Sequence, residues 1–84
     1  MIASKEVRLG ILRYLRDVYK ESPVKVVRGS EIMNTFNIDE DSLKGTLKFL
    51  KDVNLIFLMN SDYGTGALVR ITQKGLGEIE NLSG

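Results

Sequence analysis

The sequence predicts a small α+β domain. Three observations carry that expectation. Two long stretches, residues 4–21 and 39–53, place apolar side chains at helical spacing. Two short apolar runs, residues 55–59 and 67–71, are parted by a turn rich in Ser, Asp and Gly, the pattern of a β-hairpin with a long loop. The length, 84 residues, fits one domain (1–84) with a limited core.

Ser4 is placed to cap the first helix. Within residues 4–21, Val7, Ile11, Tyr14, Leu15 and Val18 fall on one face. Leu9, Leu12 and Tyr19 fall outside it, so the apolar surface is wider than one stripe and calls for deep burial or a second contact surface. Arg13, Arg16 and Lys20 take the remaining side, as a solvated basic face or as phosphate contacts. Pro23 ends the segment, and the valine-rich residues 24–27 that follow predict a short strand.

In "GSEIMNTFNI", Ser30 can cap a two-turn helix over residues 31–36, with Glu31 near its positive end and Ile32 and Phe36 paired on its inner side. Asn37 ends it, because asparagine tolerates the left-handed backbone of a tight turn. Asp39 caps the next helix, residues 39–53, with Leu43, Thr46, Leu47, Leu50 and Val53 inward. Asn54 stops that helix in the same way as Asn37. After the hairpin, Thr72 caps a last short helix that runs to about residue 82.

Composition removes several classes of chemistry. There is no cysteine, hence no disulfide, thiolate nucleophile or zinc–thiolate site. There is no histidine, hence neither the commonest metal ligand nor the usual acid/base group near neutral pH. Asp39, Glu40 and Asp41 are adjacent rather than opposed across a cleft, and capping explains them better than catalysis or cation binding. The chain is therefore expected to be a non-enzyme without a small-molecule cofactor or metal. The N-terminal residues lack the apolar core of a signal peptide, and no apolar run is long enough to span a membrane, so a cytoplasmic protein is expected. The net charge of +1 is lower than that of most strong nucleic-acid binders.

Taken in order, these segments resemble the winged helix-turn-helix family, and the likeness covers nearly the whole chain: helix, short strand, helix, helix, two-stranded wing, short C-terminal helix. Residues 30–56 follow the family's helix-turn-helix pattern without a gap. Asn37 stands where the family usually has glycine, and Asp39 stands at the cap often held by serine. "NLI" at 54–56 is similar to the family's "GLI", and "ITQKG" at 71–75 to its "LTEKG". There are two departures. Met33 replaces the small residue where the two helices cross, which implies a looser crossing. The wing loop, residues 60–67, carries no Lys or Arg.

The resemblance implies a transcriptional regulator that reads the major groove of double-stranded DNA with the helix at 39–53. On that helix Ser42, Lys44, Gly45, Lys48 and Lys51 are the expected contacts, with Gly45 letting a backbone approach closely. Tyr63 in the wing and Arg70 on the returning strand join them. The three acids opening the helix argue the other way, since unpaired carboxylates repel phosphates. They also have an ordinary explanation: they complement the helix dipole, and Glu40–Lys44 and Lys48–Asp52 are i, i+4 pairs. A flexible turn is the simplest account of "GTG" at 64–66. The alternative function is a protein–protein interaction module, as a homodimer or a subunit of a larger complex. Its expected surface is Leu9, Leu12, Tyr19, Phe49 and Phe57, because the strand at 55–59 is apolar on both faces.

Overall fold

A computed structural model describes residues 1–83, with side chains through Asn81. Ser4 accepts a hydrogen bond from the Val7 N–H and caps α1 (Lys5–Glu21). β1 (Val27–Arg28) leads into α2 (Gly29–Phe36), and α3 (Glu40–Asp52) follows after a short turn. β2 (Ile56–Leu58), β3 (Leu68–Ile71) and α4 (Gln73–Ser83) complete the order. The three strands form one antiparallel sheet in the order β1-β3-β2. The chain is thus an α+β domain of four helices and a three-stranded sheet among the described residues.

Both left-handed turns fall where asparagine predicted them, at Asn37 (φ 52°) and Asn54 (φ 64°). Asp39 accepts from the Ser42 N–H at 2.7 Å and caps α3. Thr72 accepts from the Gly75 N–H at 2.9 Å and caps α4. The same hydroxyl donates to the Asn54 carbonyl at 2.6 Å, and Lys74 donates to the Val53 carbonyl at 2.9 Å. The start of α4 therefore satisfies carbonyls that the end of α3 leaves open.

Two local expectations need correction. The strand expected at 24–27 is Val27–Arg28: a turn closed by Lys25 N–H to the Ser22 carbonyl precedes it, and Val24 is 78% exposed. Ser30 does not cap α2. The helix begins two residues earlier, at Gly29, and its first free donors are taken by backbone: Gly29 N–H bonds the Ala67 carbonyl at 2.8 Å and Ser30 N–H the Thr65 carbonyl at 3.0 Å. The "GTG" turn carries local bonds. Gly64 is buried, its N–H bonds the Asp62 carboxylate, and the Asn60 side chain bridges the Gly66 carbonyl and the Leu68 N–H.

Every element contributes to one core: Ile11 and Leu15, Val27, Ile32, Leu43, Leu47 and Leu50, Ile56, Val69, and Ile79 are all buried. α4 lies along α1, and Leu12, outside the expected stripe of α1, is 2% exposed and belongs to the core. Met33 is half-buried against the same core. No helix among the described residues is long and apolar enough to cross a membrane.

Candidate functional site

α3 is held by its buried leucines, and this orientation decides what it shows to solvent. With Leu43, Thr46, Leu47 and Leu50 inward, the helical period places Asp41, Lys44, Lys48 and Asp52 outward. The β2–β3 loop folds toward one flank of this face. Lys51 Nζ stands 5.9 Å from the centre of the Tyr63 ring, at the outer limit of a cation–π contact. Gly64 faces Lys44 and Glu40; a methyl group added to it would lie 3.0 Å from Lys44 Cε and 3.2 Å from a Glu40 carboxylate oxygen. The structure therefore brings Lys44, Lys48, Lys51 and Tyr63 together.

The charges on this surface are mixed. Glu40, Asp41, Asp52 and Asp62 are all exposed around the three lysines and the Met1 ammonium, so the two signs are balanced. Lys48 bonds Asp52 at 3.1 Å, the expected i, i+4 pair. That carboxylate raises the Lys48 pKa above its ordinary value and keeps the ammonium charged. The second expected pair, Glu40–Lys44, does not form; both side chains turn to the loop at Gly64. The Asp39 carboxyl titrates below the usual aspartate value, because the Ser42 N–H, and after it the Ser42 hydroxyl, stabilise its charged form.

One expected contact of this face is placed elsewhere and another is covered. Arg70 donates to the Pro23 carbonyl at 2.7 Å, which ties its guanidinium to the connection between α1 and β1. Gly45 does admit a close backbone, but the backbone is the chain's own. A methyl group there would overlap the Met1 carbonyl oxygen and lie 2.8 Å from the carbonyl carbon. The N-terminal residues 1–3 cross α3 at this point. The Ala3 N–H donates to Thr46 Oγ1 at 2.8 Å, Arg8 donates to the Ala3 carbonyl at 2.7 Å, and the Met1 ammonium meets Asp41 at 3.2 Å. Ser42 is half-buried. Gly45 leaves room for this crossing, whereas Gly77 in α4 has nothing within 4 Å. Nothing in the sequence names the crossing backbone.

The expected apolar partner surface divides into separate places. Leu9, Leu12 and Phe49 line a groove of about 270 Å³ between α1 and α3, with the Arg8 guanidinium 5.1 Å over the Phe49 ring. Leu12 is enclosed there and offers no surface to a partner, because α4 and α3 already pack the side of α1 that carries it. Tyr19 is half-buried and meets Gln73 near the start of α4. Phe57 is 57% exposed, and Met59, two residues on and so on the same side of the strand, is 53% exposed. Met59 was not among the expected residues, although the alternation of the strand pairs it with Phe57. Phe57 borders an open groove of about 680 Å³ shared with Lys51, Asp52, Asn54, Gln73 and Lys74.

Among the described residues no group of three or more His, Cys, Asp or Glu is arranged to hold a metal ion. No protein-family model, curated protein or solved structure matches the chain.

Proposed function

We propose that this chain is a winged helix-turn-helix domain that binds duplex DNA, with α3 entering the major groove and the β2–β3 loop acting as the wing. One observation carries the reading: Lys44, Lys48 and Lys51 line the exposed side of α3, with Lys51 near Tyr63 and Lys44 near Gly64 of that loop. α2, the left-handed turn at Asn37 and α3 supply the helix-turn-helix on which such docking depends. The ammonium groups contact phosphates, which position the helix, and Tyr63 packs against the sugar-phosphate backbone.

The carboxylates on the same face limit the affinity. With about three phosphates neutralised, the slope of log K against log salt is about −2.7. Fluorescence anisotropy with a mixed-sequence duplex across a salt series tests this. The expected result is weak binding with that shallow slope, and Lys48→Glu reduces it further. Absence of duplex binding at low salt refutes the reading.

A second reading, a protein–protein module without DNA contact, is supported by the carboxylates that match the lysines in number on α3 and by the exposed Phe57 and Met59. It predicts self-association or a partner complex that survives added salt. A monomer at all concentrations in sedimentation removes the homodimer form of it.

A further inference from the structure

The N-terminal residues 1–3 lie across α3 at Gly45 and Thr46, next to the exposed Asp41 and Lys44. We infer that this segment is a strap that closes over α3 and must lift before the helix can dock, an inference that rests on the DNA reading above. The seat is specific at Ala3, whose N–H bonds Thr46 Oγ1 and whose carbonyl accepts from Arg8. At Gly45 the Met1 backbone lies so close that any side chain on the helix displaces it. Glycine weakens a helix interior, and here its absence of a side chain is what admits the strap.

The location matters because Asp41 and Gly45 lie on the outward side of the N-terminal half of α3, the half that approaches base edges in this docking mode. A helix with its side chains is about 10–12 Å across, and the major groove is about 12 Å wide. Met1 takes the space of the missing Gly45 side chain and stands 83% exposed above it, so the strapped helix presents residues 1–3 where the bare helix presents Gly45. The seat is also shallow: Met1 is 83% exposed and Ile2 46% exposed, so lifting the segment uncovers little of the core.

Because only the lifted form docks, the apparent Kd is the intrinsic Kd divided by the lifted fraction. The test compares three chains by duplex anisotropy at low salt: the full chain, a chain beginning at Ser4 released from a cleavable fusion, and Gly45→Ala, with circular dichroism to establish that each is folded. Both altered chains bind about 5- to 10-fold more tightly, equivalent to a lifted fraction of about one in ten to one in five. Amide exchange gives an independent readout: the Ala3 N–H is protected in the free chain and exchanges freely in the duplex complex. If the full chain binds and the altered chains bind equally or more weakly, the strap is overturned while the DNA reading stands. If none of the three binds, the DNA reading fails and takes the strap's role with it.

Discussion

Replacing Gly29 with alanine tests how the start of α2 is joined to the β2–β3 loop. A methyl group at this position would overlap the Gly64 carbonyl oxygen, lie 3.0 Å from its carbon, and lie 3.3 Å from the Ala67 side chain. Gly29 and Gly64 are both buried, so neither backbone has open space to move into. Relief requires the loop to shift, which breaks the bonds from Gly29 N–H to Ala67 and from Ser30 N–H to Thr65. Each is worth about 1 kcal/mol net, and overpacking an enclosed site adds about 1–3 kcal/mol. The gain in helix propensity from glycine to alanine offsets about 1 kcal/mol. The balance is a loss of about 2–4 kcal/mol, a large fraction of the roughly 5–15 kcal/mol that holds a domain folded. Urea unfolding followed by circular dichroism measures it. The midpoint falls while the slope stays constant, since the surface exposed on unfolding is unchanged. A Gly29→Ala chain within about 0.5 kcal/mol of the parent, the usual range of a neutral surface change, would show that the loop is not packed on α2 as described.

Further outcomes follow from the same contacts. Thr72→Val keeps the shape of the side chain but removes the α4 cap and the bond to the Asn54 carbonyl; the loss of about 1–2 kcal/mol lowers the melting temperature by about 4–16 °C, and an unchanged melting curve would dismiss the joint. The depressed Asp39 pKa means that its cap contributes fully above the ordinary aspartate range and fades as pH falls below about 4. Asp39→Asn, an uncharged cap, therefore flattens the acid side of the melting-temperature profile, while Asp39→Ala lowers stability at every pH; identical acid slopes for the Asp39→Asn chain and the parent would count against the assignment. Leu47→Ala removes a wholly buried side chain and costs about 2–5 kcal/mol in denaturant unfolding, and a much smaller loss would place α3 in a different rotation. Phe57→Ser with Met59→Ser alters only exposed strand positions and stays within about 0.5 kcal/mol of the parent for the isolated chain. If a dimer exists through that strand, the same pair of changes makes it monomeric in sedimentation.

The local rules were legible in the sequence because they depend on neighbours a few residues apart. Ser4, Asp39 and Thr72 cap helices through side-chain oxygens that reach only the next turn. Asn37 and Asn54 take left-handed backbone because their own side chains permit it. The period of Leu43, Leu47 and Leu50 set the inward side of α3, and with it the outward lysines. What the sequence left open depends on segments that meet from far apart. The first donors of α2 are satisfied by loop carbonyls more than thirty residues away in the chain, so Ser30 has no capping work to do. Arg70 is claimed by Pro23 across the sheet, and Leu12 by the enclosure of α1. Gly45 offered room for a close approach, but only the tertiary structure decided that residues 1–3 fill it, because a missing side chain leaves space without recording its occupant.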